Sequence, residues 1–488
     1  MSRSARRTAS QRTAAISQHI MHASTSAAPA EEKTVLFESN GSLRTYILNR
    51  PSKLNALDEP MLSALRPKIE EWGASDLCGT IVARGVGRAF CIGGDVANVV
   101  KDASNPKTVP QAVEYFKREF ELDYILAALK KPYIAILDGM TMGGGVGLAA
   151  NAQFRIATEH TVFAMPETKI GYCPDVGGSH FLSRLDGEIG TYLALTSDTL
   201  SGRAVFEHGL ATHFIPARRI PQLLDRLVEL HQPHASVIDR IIEDLSSERE
   251  ASERPAPFIG AVRTALDVAF RHNKVEAIIS ELEAMVATEN KEVQKWATDT
   301  LQMLHLRSPT SLKVALQAIR RGRKLSLRDA LDMELKIATA FCRGASPDFA
   351  TGVKAVLVEK SKERPNWSPS SINDVSPAII NKFFDQNSPF LKDAPALELP
   401  DIESGTISNP LKYALPTEEE IGSVVKGSHA SGGGLSMRLD EVQARFADLR
   451  PGKLGVKEKV LEVVNRCCVV TDNADGNRVW LKWKHASR

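Results

Sequence analysis

Residues 34–38 and 43–48 are short apolar-rich runs either side of Ser39-Asn40-Gly41-Ser42, a pattern that predicts two strands and a hairpin. A helical pattern over 59–72 follows, then a short apolar strand at 80–84. Gly85-Val86-Gly87 opens a turn region leading to Phe90-Cys91-Ile92-Gly93-Gly94-Asp95. A helical stretch at 115–130 and a strand at 133–137, closed by Asp138-Gly139, repeat the order. Strand, strand, helix thus recurs, with glycine-rich turns where strands hand over to helices, and this predicts an α/β fold built from repeated ββα units.

From about 220 to 342 the spacing of apolar residues is helical, as in Ile278-Ile279, Leu282, Met285-Val286. The stretch 348–360 closes this part with Val353, Ala355, Val356, Leu357 and Val358. Beyond Asn366, Pro369, Pro377, Pro389, Pro395, Pro400 and Pro410 mark loop and linker. The last 60 or so residues recover order, with helices expected at 439–449 and 456–467 and a hairpin of 468–471 with 479–483 around Asn473-Ala474-Asp475-Gly476-Asn477. The organisation read from these shifts is a leader at 1–30, a ββα core at 31–219, a helical part at 220–384, a linker at 385–425 and a small α+β extension at 426–488.

Composition narrows the function classes. At 488 residues the chain exceeds one ordinary domain, and its formal charge of +2 with 25% charged residues gives no global case for nucleic acid or a membrane surface. No apolar run approaches the roughly 20 residues needed to cross a bilayer, so no membrane insertion is expected. Six cysteines, none in a CxxC pair, fit a reducing compartment. The first 30 residues carry Arg3, Arg6, Arg7 and Arg12, with no acidic residue until Glu31, which is the pattern of a mitochondrial transit peptide.

Two glycine-rich turns carry candidate chemistry: Gly93-Gly94-Asp95 and Gly143-Gly144-Gly145-Val146-Gly147. Glycine at a strand-to-helix junction lets backbone N–H groups approach a ligand closely, and two such amides on one carbonyl oxygen form an oxyanion hole. Taken alone each turn also reads as purely structural, and neither fits GxGxxG or GxxxxGK[ST]. Glu167 in Met165-Pro166-Glu167-Thr168 and Asp175 in Cys173-Pro174-Asp175-Val176-Gly177-Gly178 lie in punctuated loops, where carboxylates are commonly solvated. A carboxylate pair beside an oxyanion hole is also what acyl hydrolysis needs.

Taken in order, Asn49-Arg50-Pro51, Asn55-Ala56-Leu57, Ala89-Phe90-Cys91-Ile92-Gly93-Gly94-Asp95, Gly139-Met140-Thr141-Met142-Gly143-Gly144-Gly145-Val146-Gly147, Phe163-Ala164-Met165-Pro166-Glu167-Thr168 and Pro174-Asp175-Val176-Gly177-Gly178 resemble the crotonase (enoyl-CoA hydratase/isomerase) superfamily. The last three resemble its 3-hydroxyisobutyryl-CoA hydrolase branch, and the likeness runs from about 34 to 384. It implies the crotonase spiral of ββα units with a helical C-terminal region. It also implies oxyanion amides at Gly94 and Gly144, catalytic residues Glu167 and Asp175, and substrate contacts from Glu119, Gly144, Glu167 and Asp175. Glu167 then attacks the thioester or activates water; Asp175 bonds the substrate's 3-hydroxyl and assists proton transfer. No metal is expected, and coenzyme A enters only as part of the substrate.

Hydratases of the superfamily carry a second glutamate at the position of Gly147, so simple hydration is not expected, whereas a dienoyl-CoA isomerase, with its own glutamate and aspartate eight apart, stays an alternative. Two departures stand out. Ile92 replaces a small residue beside the oxyanion turn, and Thr351 replaces an acidic residue before Gly352. Lys354, Lys360, Lys362 and Arg364 suit CoA phosphates or a solvated face.

The branch's ordinary chain ends near Phe384. From Lys426 onward the extra segment holds 12 Lys or Arg against 7 Asp or Glu, and alternation places Trp480, Lys482 and Lys484 opposite Leu481 and Trp483. Some fungal mitochondrial ribosomes contain a small-subunit component similar to this branch. The expected partners are therefore an acyl-CoA substrate, small-subunit proteins or rRNA reached through 385–488, and a second copy of the chain. The expected compartment is the mitochondrial matrix, and the expected role is thioester hydrolysis in valine catabolism, with the ribosomal role as alternative or addition.

Overall fold

The computed structural model describes residues 33–400, 407, 409–432, 437–472 and 479–484; the leader at 1–30 and the 473–477 turn lie outside them. In chain order the strands of the core are β1 (Val35–Asn40), β2 (Leu43–Leu48), β3 (Thr80–Gly85), β4 (Ala89–Cys91), β5 (Tyr133–Leu137), β6 (Met140–Met142), β7 (Phe154–Ala157), β8 (Val162–Ala164), β9 (Thr199–Ser201) and β10 (His213–Phe214). One sheet runs β1-β2-β3-β5-β7-β10, and a second runs β4-β6-β8-β9. The β1–β2 hairpin is antiparallel, with Val35 opposite Leu48, whereas β2 through β10 pair in parallel. Parallel strands need crossovers, and those between β3 and β7 deliver each turn of the spiral: a long strand in the first sheet, a short one in the second, then helix.

The short strands decide where the chemistry falls. β4, β6 and β8 lie side by side and parallel, with Ala89 opposite Met140 and Met142 opposite Ala164. Their carboxyl ends therefore open next to one another, at the point where an open α/β sheet gathers its ligand-binding loops.

The helix expected at 115–130 begins earlier, as Val109–Ala127 with Pro110 in its first turn, where a missing N–H costs nothing. It is buried on nearly every side, so its apolar stripe is too broad to mark a boundary. The Leu327–Cys342 helix packs against it, and Tyr172 is wedged among Phe116, Phe341 and Phe349 with ring centroids 4.8 to 5.4 Å away. That aromatic knot pins the loop between Glu167 and Asp175.

The prolines of 385–425 read as a linker, but the structure contains a helix there, Glu418–Val425, started by the Thr417 side chain accepting the N–H of Glu420. The described residues from Val35 onward form one compact unit. Tyr413 stacks on Phe154 at 4.7 Å, Arg155 donates to the Pro410 carbonyl, and Leu415, Ile421, Val424, Val456 and Val460 join the main core. Pro-rich punctuation signalled irregular backbone correctly, but irregular backbone with a buried apolar residue every few positions is packed chain rather than a spacer. The helices Leu439–Leu449 and Val456–Cys467 and the antiparallel pair β11 (Cys468–Asp472) and β12 (Val479–Trp483) follow the expected bounds closely. Leu481 is buried and Lys482 exposed, as the alternation requires.

Candidate active site

Three of the expected site residues sit just beyond the three adjacent strand ends: Gly94 after β4, Gly144 after β6 and Glu167 after β8. A Cβ built on Gly93 would lie 3.2 Å from the Gly144 nitrogen, and one on Gly144 would lie 3.4 Å from the Gly94 nitrogen, so the two amides share one small space. Neither N–H donates to a backbone acceptor among the described residues. The Gly144 amide opens the Gly144–Ala150 helix, which adds the positive end of a short dipole. The turn also needs glycine for room, because a side chain on Gly144 would collide with Glu119 Oε1, and one on Gly143 would meet Glu167 Oε1 at 2.9 Å. Glu119 therefore lies against Gly144 and Glu167 against Gly143.

Glu119, Glu167 and Asp175 are 2%, 5% and 5% exposed, so none is a solvated loop carboxylate. Among the described residues Glu119 Oε1 and Glu167 Oε2 are buried without a hydrogen-bond partner, and a bound ligand would satisfy them. Asp175 arrives on a turn in which Val176 and Gly177 both adopt left-handed backbone, φ 53° and 81°. For β-branched Val176 that conformation costs on the order of 1–3 kcal/mol and persists only where surrounding contacts enforce it.

The electrostatics follow from crowding acids where water is scarce. Burial raises the proton affinity of Glu119, and the nearby Asp175 and Glu167 add to it. Glu167 is raised by burial and by Asp175. Asp175 is pushed up to about 8 by burial and by Glu334, with the Tyr172 hydroxyl pulling partly the other way. Such a set holds protons near neutral pH, which equips it to supply an acid and a base together.

Sequence reasoning missed two acids of this set. Asp123, 1% exposed with both oxygens unpartnered, lies one helical turn beyond Glu119 and faces Gly147. The i, i+4 spacing was a legible signal, since it places both on one face. Glu334 comes from the distant Leu327–Cys342 helix and gave no local sign. Asp123 also explains Gly147, where an added Cβ would stand 2.6 Å from both Asp123 Oδ2 and Val176 Cβ. No second glutamate can occupy that position. Ile92 is half-buried beside Gly94 at the rim, while Lys354, Lys360 and Lys362 are exposed; Arg364 is committed to the carbonyls of His305 and Ser370.

One group of metal-ligand type, His213, Asp239 and Glu243, occurs among the described residues. The Lys453 ammonium, 2.6 Å from Glu243, already supplies its cation, so the cluster reads as a tie between core and extension.

Two amides and buried carboxylates at the ends of parallel strands define an acyl-CoA-processing enzyme of the crotonase class. The chain belongs to the enoyl-CoA hydratase/isomerase family, which matches residues 43–384. It is 39% identical over 451 residues to the small ribosomal subunit protein mS47 of Neurospora crassa, covering 90% of this chain and 86% of that protein. It is 37% identical to the mitochondrial 3-hydroxyisobutyryl-CoA hydrolase of Gallus gallus, covering 72% of this chain and 88% of that protein. Among solved structures it resembles a carnitinyl-CoA dehydratase from Mycobacterium thermoresistibile, with a TM-score of 0.65, 30% identity, and 74% of this chain and 98% of that one covered.

Proposed function

We propose that this protein hydrolyses the thioester of 3-hydroxyisobutyryl-CoA in the mitochondrial matrix, as a step of valine breakdown. The observation that carries the reading is the meeting of Gly94, Gly144 and Glu167 at three adjacent strand ends, with the buried Asp175 close enough to raise Glu167 and with Gly147 too crowded for a hydratase's second acid. The thioester carbonyl oxygen accepts from the two amides, which are worth most where charge develops in the tetrahedral intermediate. Glu167 either adds to the carbonyl carbon, expelling the thiolate and leaving an anhydride that water opens, or takes a proton from the attacking water. Asp175 bonds the 3-hydroxyl and passes a proton to the leaving sulfur. Coenzyme A enters as part of the substrate.

The test is release of free CoA thiol from 3-hydroxyisobutyryl-CoA by purified protein and by Glu167→Gln. A fall of at least about a hundredfold is expected, the scale of a positioned acid–base group; an equally active variant removes Glu167 from this role. Thiol release also separates hydrolysis from dienoyl-CoA isomerisation, which leaves the thioester intact. Turnover in ¹⁸O-water identifies the anhydride route when water opens it at the Glu167 carbonyl, because label then enters the Glu167 carboxylate, which the general-base route never labels.

A second role, association with the mitochondrial small ribosomal subunit, is favoured by one observation. The mS47 likeness spans 90% of the chain, the hydrolase likeness 72%, so the former reaches into the extension. Both roles fit one chain, because the extension leaves the acidic site intact. Co-sedimentation with the small subunit, lost at high salt, supports the second role; migration only as a free species counts against it.

A further inference from the structure

The Asp175 turn is held from outside its own neighbourhood. Glu334, 1% exposed on the Leu327–Cys342 helix, accepts the Gly177 N–H at 2.6 Å, the Ser179 N–H at 2.8 Å and the Ser179 hydroxyl at 2.5 Å. These donors are the second of the two left-handed residues that follow Asp175 and the residue two beyond it, and the Gly178 N–H closes the turn on the Asp175 carbonyl at 2.6 Å. The turn has no comparable clamp of its own, and its strained conformation calls for one. We propose that Glu334 is a positioning residue of this site: its carboxylate locks the turn that carries Asp175 and fixes the surroundings that Asp175 meets. This rests on the hydrolase reading above.

The argument is one of geometry first. A carboxylate can accept three hydrogen bonds at once, and two of these come from main-chain N–H groups that would otherwise be buried without partners. A neutral amide would serve the turn less well, since its NH2 cannot accept from Gly177. The same three bonds favour the ionised form of Glu334, while burial opposes it, and the balance lies at about 7. Glu334 is thus in part a negative charge near neutral pH, and after burial it is the largest influence raising Asp175.

Asp175 is surrounded by groups of the same sign. Glu119, Asp123 and Tyr115 face it from the Val109–Ala127 helix, Glu167 from its own turn, Tyr172 and Cys173 from the preceding loop, and Glu334 from behind. Ionising all of them together is prohibitively costly, so the cluster retains protons. Among these groups Glu334 alone has its oxygens fully engaged with the main chain and Ser179, and so ionises without needing a ligand.

Carboxyl-labelled aspartate ¹³C NMR provides the test, the Asp175 resonance being identified by its loss in Asp175→Asn. In Glu334→Gln the Asp175 titration is expected to move down by about one pH unit, and the alkaline limb of kcat/KM with it, while KM changes less than kcat. Ser179→Ala, a change too small to unfold the protein, is expected to shift both in the same direction by less, because it raises Glu334's own proton affinity. An Asp175 titration unmoved in Ser179→Ala and in any folded Glu334→Gln protein overturns the proposal. The NMR titration needs no turnover. A wild-type protein that releases no thiol therefore sinks the hydrolase reading, whereas active protein with an unmoved Asp175 sinks only the role of Glu334.

Discussion

The site's character is set residue by residue, by acids placed where water cannot reach them. In the proposed hydrolysis Glu167 must ionise to act and Asp175 must keep its proton to donate, yet burial and mutual repulsion raise both. The active form is the one-proton form of the pair, so kcat/KM is expected to be bell-shaped in pH, with both limbs displaced upward from the usual carboxylate range near 4. A pH–rate profile of the wild type checks this, and a rate constant from pH 5 upward would contradict it. The same shifts have a stability consequence of definite sign. Acids with raised folded-state values bind protons in the native protein that the unfolded chain has lost, so their contribution to stability falls as pH rises from about 4 toward 8.

Gly147 offers a second test at this scale. A methyl there must displace Asp123 or Val176, both rigidly packed, and overpacking of this kind costs roughly 1–3 kcal/mol. Gly147→Ala is expected to lower the melting temperature and the hydrolysis rate together. Gly147→Glu is expected to fail as a route to a hydratase, because the position lacks room before it lacks chemistry. A well-folded Gly147→Glu protein that hydrates an enoyl-CoA would refute that account. The residue pattern that made Gly94, Gly144, Glu167 and Asp175 readable lies in the sequence, whereas Glu334 is not readable: the groups it holds are 155 and 157 positions away.

Between elements, the tie that joins the Ala235–Leu245 helix to the extension is ionic and buried. Lys453, its side chain 5% exposed, lies 2.6 Å from Glu243 Oε1, while His213 Nε2 stands 3.1 Å from the same oxygen and from Asp239. His213 and Lys453 hold Glu243 down at about 2 against the cost of burial. Lys453→Ala leaves a buried carboxylate without its cation, and a loss of roughly 3 kcal/mol is expected, read as a lower melting temperature. A depressed carboxylate stabilises above its unfolded value, so this contribution disappears as pH falls from about 4.5 toward 2. Lys453→Ala should therefore flatten the acid side of the stability profile. An unchanged melting temperature would show that the extension is held by its apolar contacts alone.

For the molecule as a whole, the extension is part of the fold rather than a trailing module. Arg263 and Arg466 converge on Glu418, Lys459 meets Asp186 at 2.6 Å, and Tyr413 covers Phe154. Truncation after residue 390 uncovers those apolar surfaces and leaves Asp186 without its lysine partner, so the shortened chain is expected to melt earlier and to aggregate more readily. The same truncation is expected to abolish co-sedimentation with the small ribosomal subunit. Retained co-sedimentation would place the contact on the residues before 391.

Local sequence determined what depends on near neighbours. The strands at 133–137 and 43–48, the helices at 439–449 and 456–467 and the glycine turns follow from short-range apolar spacing and from φ values or close approaches that favour glycine. Motif order was enough to indicate the family and to single out Gly94, Gly144, Glu167 and Asp175 as candidates. What only the tertiary structure decided is everything that depends on which distant surfaces meet. Parallel pairing of β4, β6 and β8 brings Gly94, Gly144 and Glu167 to one point, and helix packing adds Asp123 and Glu334. The 385–425 segment is likewise fixed by the core beneath it. Burial and proton affinity are properties of an enclosed volume, and a linear string carries no measure of enclosure until the chain has closed around it.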